Sequence, residues 1–191
     1  MDRRELLKMI AVVTGGAVIG GEALLTGCAQ PAGDKTDMQF STDDIAFLDE
    51  VAETIFPKTA TPGGKDAGLG KFMTVMVNDC YTSNDQQIFH EGIKKLDAAC
   101  EKMHGTSFMK ASAEQRTALL KQIDDERRDY YKSRKKEDPE HYFQQMKQLT
   151  IFGYFTSEAG RKNALRYIPV PGRFDAVIDY KKGDKLFAGL S

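Results

Sequence analysis

Tryptophan is missing from this 191-residue chain, and cysteine and histidine are held to three residues each. Those scarcities narrow the chemistry. His90, His104 and His141 fall in three separate segments, so a histidine-rich metal centre has no local nucleus. His90-Glu91 opens like the metalloprotease helix His-Glu-x-x-His, but the second ligand position is Lys94 and the motif fails. Cys-x-x-Cys-His is absent, so covalent heme attachment is not encoded. Gly68-Leu-Gly70 lacks the third glycine of a dinucleotide fingerprint, and Gly63-Gly64 lacks the Gly-Lys-Ser/Thr ending of a phosphate loop. Neither sign of charge is in excess: 27 Lys and Arg face 28 Asp and Glu, for a net charge of −1, which gives no footprint for nucleic acid.

What is present begins at the N-terminus. Arg3-Arg4-Glu-Leu6-Leu7-Lys8 matches a twin-arginine export pattern, with Leu6 where Phe is commoner, and precedes an apolar run from Met9 to Leu25. Gly15, Gly16, Gly20 and Gly21 make that run a poor soluble helix, and Glu22 interrupts it short of the roughly 20 apolar residues of a membrane span. Leu25-Thr26-Gly27-Cys28 matches a lipobox. The expected organisation is therefore a signal peptide over 1–27, a tether over 28–40 and a helical domain over 41–191, with the mature chain lipidated at Cys28. Removal of 1–27 takes away three basic and three acidic residues, so the mature chain keeps its charge of −1 and has no polybasic patch; a lipoprotein's several acyl chains must do the anchoring. The location implied is the periplasmic side of a membrane. Ala29, in place of the aspartate that retains many lipoproteins at the inner membrane, slightly favours the outer one.

From Ser41 the periodicity is helical. Ser41 and Asp44 form a capping box before Ile45, Leu48, Ala52 and Ile55, and Pro57 ends that helix. A breaker-rich loop follows, and then Leu69, Phe72, Met73, Met76, Val77 and Cys80 fall on one helical stripe. Ser83 with Gln86 reads as the cap of a third helix, closed by His104-Gly105. Ser112 with Gln115 caps a fourth, running to Tyr130 and Tyr131. Asp138-Pro139 reads as N-cap and first residue of a fifth, which is apolar around most of its girth from Tyr142 to Phe155 and so belongs in a core or an interface. Ser157 is expected to cap a short helix ending near Tyr167. Beyond it, Tyr167-Ile-Pro169-Val-Pro171-Gly172-Arg-Phe174 to Ser191 has no helical period. The fold class expected is all-α: an irregular bundle of about five to six helices with a long extended C-terminal arm. That arm either lies across another protein or folds back over its own helices, and the pattern of residues leaves both open.

No constellation for catalysis stands out. Ser157 and Cys80 have no histidine that sequence can pair with them. Cys80 and Cys100 sit on apolar faces and, in a tight helical hairpin, Cys100 lies about 24 Å along its helix from the turn; a bridge needs Cα atoms within about 7 Å, so none is expected. The basic run Arg127–Lys136 is interleaved with Asp124, Asp125, Glu126, Asp129, Glu137 and Asp138, the pattern of a self-paired solvated face. Catalytic, cofactor-binding and metal residues are thus expected to be none in this chain.

Two segments resemble a known family. Leu48-Asp-Glu-Val-Ala-Glu53-Thr-Ile-Phe56-Pro57, with Thr61-Pro62-Gly63 and Asp66-Ala67-Gly68, resembles the opening of gluconate 2-dehydrogenase subunit 3. Gly153-Tyr154-Phe-Thr-Ser157-Glu158-Ala-Gly160 followed by Tyr167-Ile-Pro169-Val-Pro171-Gly172 resembles its C-terminal signature. The resemblance implies a small non-catalytic subunit that accompanies a flavin-dependent dehydrogenase of the glucose-methanol-choline type, sometimes with a cytochrome c subunit. FAD would then sit in the partner, and the small subunit would supply the export signal (Arg3, Arg4) and the anchor (Cys28). Tyr154, Tyr167, Pro169, Pro171, Gly172 and Phe174 are the candidates for docking that partner. The resemblance also implies, in many members, a cysteine shortly after the Pro-Gly, placed where it could cross-link to the partner; Arg173-Phe-Asp-Ala-Val has none, so a covalent link is not expected. The alternative is a free-standing lipoprotein binding module with no dehydrogenase beside it.

Overall fold

The computed structural model describes residue 5, residues 39–170, residue 172 and residues 177–188. The chain divides into a unit of residues 1–36, of which only the helical Glu5 is described, and a unit of residues 37–191 that holds every element named below. Among its described residues that second unit has five α-helices: α1 (Thr42–Ile55), α2 (Leu69–Cys80), α3 (Ser83–His104), α4 (Ala113–Ser133) and α5 (Tyr142–Thr156). A single π-helical turn (Gly160–Ala164) follows, and then β1 (Arg166–Tyr167), which pairs in parallel with β2 (Phe187–Ala188) in the register Arg166–Phe187. The all-α expectation holds, with this two-residue pairing as its one addition among the described residues.

Each helix buries most of the stripe its sequence spacing selects; Cys80, expected on the apolar face of α2, is instead exposed because it is the last residue of that helix, where the chain leaves the core. Leu48, Val51 and Ala52 of α1, Met73 and Val77 of α2, Phe89, Leu96 and Cys100 of α3, Leu119 and Ile123 of α4, and Phe143, Met146 and Leu149 of α5 meet in one core. Each large side chain so buried stabilises the fold by about 1.5–3 kcal/mol. Helix α5 is the hub, touching all four other helices, and this explains why its apolar residues occupy so much of its circumference.

The starts of α1 and α4 are as the sequence indicates: Ser41 with Asp44, and Ser112 with Gln115, make reciprocal capping boxes. Two other caps differ. Helix α3 is capped by Thr82, whose hydroxyl accepts from the Asp85 amide, and not by Ser83. Gln86 instead reaches back to the preceding helix and donates to the carbonyls of Val77, Asn78 and Tyr81. Those carbonyls lie at the C-terminal end of α2, where backbone donors run short and Val77 keeps only a long bond from the Tyr81 amide (3.4 Å), so they draw the side chain away from the cap. Helix α5 starts at Tyr142 and not at Pro139, with His141 Nδ1 accepting from the Phe143 amide at 3.2 Å. The segment before it is held as a turn: Arg134 donates to the Asp138 and Pro139 carbonyls, Tyr130 to the Pro139 carbonyl, and Asp138 accepts from the Lys135 amide. Carbonyls engaged from outside in this way are not available to feed a helix from Pro139 onward.

Candidate interaction surface

The loop between α1 and α2 is built on one carboxylate. As α1 ends, Glu53 accepts from the Lys58 amide (2.8 Å) and the Lys65 amide (3.0 Å), which gathers both ends of the loop onto a single side chain. Asp66 accepts from the Gly63 amide at 3.3 Å and pairs with Lys58 at 2.9 Å. The Lys58 ammonium, helped by the Gly63 amide, holds the Asp66 carboxyl below its ordinary range. Gly64 lies so close to α1 that a Cβ there would come within 2.5 Å of the Ala52 carbonyl, so only glycine fits.

Tyr154 closes this loop from the far end of the sequence. Its hydroxyl donates to the Pro62 carbonyl at 2.7 Å, and its ring stacks on Phe56 with centroids 4.5 Å apart and planes 8° from parallel. Phe155 packs edge-on against Phe56 at 5.7 Å. The two segments that carry the family resemblance, about a hundred residues apart in sequence, therefore meet in one contact.

Just beyond, Ser157 plays two parts. Its hydroxyl donates to the Tyr154 carbonyl (2.7 Å) at the end of α5 and accepts from the Gly160 amide (3.0 Å) at the start of the π-helical turn. That turn ends at Ala164, before the expected boundary near Tyr167, because Tyr167 is taken into the β pairing. Arg166 donates its amide to the Leu186 carbonyl at 2.8 Å. Two guanidiniums then cover rings, Arg161 over Tyr167 and Arg166 over Phe187, each at 4.8 Å. Residues 166–167 and 186–187 are thus held together.

The docking candidates separate into three groups. Tyr154 is buried at 3% exposure with its hydroxyl committed, so it supports the loop from inside and presents no free face. Tyr167, Pro169 and Gly172 are exposed. Pro171 and Phe174 lie outside the described residues, as do Arg3, Arg4 and Cys28. The described part of the arm is open to solvent: Val170 is 80% exposed, Val177 91% and Tyr180 66%. The arm does not fold back over the helices with these side chains.

A second apolar surface was not singled out by sequence. Val75 of α2 and Ile151, Phe152 and Phe155 of α5 are exposed, with half-buried Phe72 joining the helices by a ring contact to Phe152 at 5.9 Å. The signal was there, since α5 carries more apolar residues than a single buried face can hold, but which of them stay outside depends on the neighbours of α5.

Several polar groups elsewhere are committed to structure. On α4, Asp124 receives Arg127 at 2.9 Å and Lys147 at 2.8 Å; burial pushes its carboxyl up, and the two cations outweigh that and hold it below the ordinary range. Asp125 pairs with Arg128 and Asp129 with Lys132, in keeping with a self-paired face. An open cleft of about 510 Å³ is lined by Gln87, Glu91, Lys95, Tyr130, His141 and Tyr142, but Glu91 is paired with Lys95 and Tyr130 is bonded to Pro139. Burial pushes the Tyr142 hydroxyl up to about 12. Among the described residues no three His, Cys, Asp or Glu side chains gather as a metal site, and no helix is long and apolar enough to cross a membrane. Cys80 is exposed and Cys100 buried, both as free thiols.

Fold and surface together define a small all-α domain with large apolar side chains exposed on α2, α5 and the arm. The model of gluconate 2-dehydrogenase subunit 3 matches residues 42–172, well over half of the chain, and the protein belongs to that family. Membership suggests an accessory subunit of a dehydrogenase. No curated protein and no solved structure matches the chain significantly.

Proposed function

We propose that this protein is the non-catalytic small subunit of a membrane-associated, flavin-dependent dehydrogenase of the glucose-methanol-choline type. It provides twin-arginine export through Arg3 and Arg4, folding support, and attachment through lipid on Cys28 on the periplasmic side. Oxidation of a sugar, sugar acid or similar alcohol takes place in the partner, which holds the FAD. The observation that carries this reading is the family match over 42–172. The leader pattern supports export and anchoring, and the exposed arm at Tyr167–Val170 and 177–187 supports docking.

The test is a mild-detergent purification of the tagged protein from its own cell, with a visible spectrum and mass spectrometry of co-purifying chains. A stoichiometric flavoprotein with flavin absorbance is the expected result. A colourless lipoprotein alone, at full yield and in several detergents, would replace this reading with a free-standing binding module. Arg3→Lys together with Arg4→Lys should leave both chains in the cytoplasm, and Cys28→Ala should release the complex from the membrane fraction.

A further inference from the structure

The start of α5 depends on one unprotonated nitrogen. His141 Nδ1 accepts from the Phe143 amide at 3.2 Å, in the place where serine, threonine, aspartate or asparagine caps most helices. Those side-chain oxygens accept throughout the neutral and mildly acidic range. An imidazole nitrogen accepts only while it is bare, and both nitrogens of the imidazolium are donors. Protonation of Nδ1 sets N–H against N–H and brings a positive charge to the N-terminal end of a helix, where the macrodipole opposes it. The ring stacks on Tyr142 with centroids 4.8 Å apart and meets Tyr130 at 5.7 Å. Tyr142 is held from the other helix, since a Cβ on Gly92 of α3 would come within 2.7 Å of it. The imidazole lines the cleft of about 510 Å³ between α3 and the segment before α5, so it has a space to turn into.

We propose that the junction of α4 and α5 is an acid-sensitive latch: proton uptake by His141 withdraws the cap from the Phe143 amide, turns the imidazolium toward the cleft and loosens the first turn of α5, while the rest of the bundle stays folded. The surrounding charges set the window. Helix α3 presents Lys95, which opposes a positive ring, and Glu91, which is already paired with Lys95. Helix α4 presents Arg127, which also opposes it, and Glu126, which favours it. In the segment before α5, the charge of Glu140 is met by Arg134 at 3.0 Å. Burial, with Arg127 and Lys95, outweighs Glu126 and holds the imidazole below its ordinary range, so the latch is shut at neutral pH and opens between about pH 6.5 and 5. The neighbouring ties outlast that change. Arg134 donates to the Asp138 and Pro139 carbonyls and Tyr130 to the Pro139 carbonyl, and none of these groups changes charge there. Phe143 itself is 2% exposed and stays in the core, which confines the opening to the cap and the first turn. The other two histidines lie within α3 and hold no helix start.

The test is hydrogen exchange of the full chain in mild detergent from about pH 7.5 to 5, read on peptides over 134–146 and converted to protection factors so that the intrinsic pH dependence of exchange cancels. The expected result is about a fivefold loss of protection at Phe143 and Gln144 as the pH falls, the scale of a lost N-cap, with the peptides around Phe89 and Leu119 unchanged. His141→Asn caps without titrating and should hold protection level across the range; His141→Ser does the same should asparagine pack poorly. Two variants that keep the cap should move the midpoint in opposite directions, Lys95→Gln upward and Glu126→Gln downward, each by about 0.2–0.7 of a pH unit. Constant protection at Phe143 and Gln144 in the unaltered chain down to about pH 5 overturns the latch. So does an equal loss in α3 and α4, which is global unfolding, or the same loss in a folded His141→Asn chain.

Discussion

Removing one oxygen atom at Tyr154 tests whether the two family segments are held together as described. Tyr154→Phe keeps the ring on Phe56 and deletes only the hydroxyl that donates to the Pro62 carbonyl at 2.7 Å. A hydrogen bond of this kind contributes about 0.5–1.5 kcal/mol net, and Tyr154 is 3% exposed, so water does not readily replace the lost donor. The expected cost is therefore about 1.5 kcal/mol, close to a tenfold change in the folding equilibrium. For a domain of this size that lowers Tm by about 3–6 °C. Tyr154→Ala also removes the stacked ring and should cost about 3–5 kcal/mol. The location of the effect is more diagnostic than its size. Hydrogen exchange should quicken at the amides of Lys58, Gly63, Gly64 and Lys65, which the loop contacts protect, while α3 and α4 keep their protection. A Tyr154→Phe variant within about 1 °C of the unaltered Tm, with loop exchange unchanged, would refute the idea that this bond pins the loop.

Three further outcomes are expected. Glu50 accepts from both Arg116 and Lys65, and Glu50 and Arg116 are only 16% and 15% exposed, so Glu50→Gln should lower the urea midpoint by the equivalent of about 2 kcal/mol, between exposed and buried pairs, without changing the slope; a loss under about 0.5 kcal/mol counts against the link. Burial is the main cause that pushes the His141 imidazole below 6.5, with Arg127 and Lys95 in the same direction and Glu126 opposing. The unfolded chain then binds the proton more readily, so His141's contribution to stability is complete above about pH 6.5 and is lost as pH falls through its lower folded value; His141→Asn, which caps without titrating, should flatten the Tm-against-pH curve between about pH 7 and 5, and an unaltered slope would exclude this cap as its source. Cys80 should alkylate in the native protein, whereas Cys100, buried and raised by desolvation and by Asp97, should react only on unfolding; equal rates at both would contradict the packing of α3.

Much of the helical order was readable from spacing alone. The stripes Leu69–Cys80 and Phe89–Cys100, the capping boxes at Ser41 and Ser112 and the stop at His104-Gly105 all rest on interactions within a few residues, and those are written locally. The misassigned starts have a common origin. Gln86 has the spacing of a capping partner, but the open end of α2 claims it; Asp138-Pro139 has the form of a helix start, but Arg134 and Tyr130 claim its carbonyls. Competition of this kind depends on which element lies next door, and local spacing does not encode it.

The sequence by itself determined the helical class, the order of the helices, the scarcity of metal-binding and nucleophilic groups, and the pairing of two short segments with one family, because each follows from residue type and nearby spacing. The tertiary structure decided which of the matched residues face inward. Tyr154 read as a docking residue became an internal support for the Pro62 loop, while Phe152, one apolar residue among many on α5, and Val75, outside the α2 stripe, became surface. A helical pattern shows that a residue is apolar, but only the packing of α5 against four neighbours shows which of its sides is left without one.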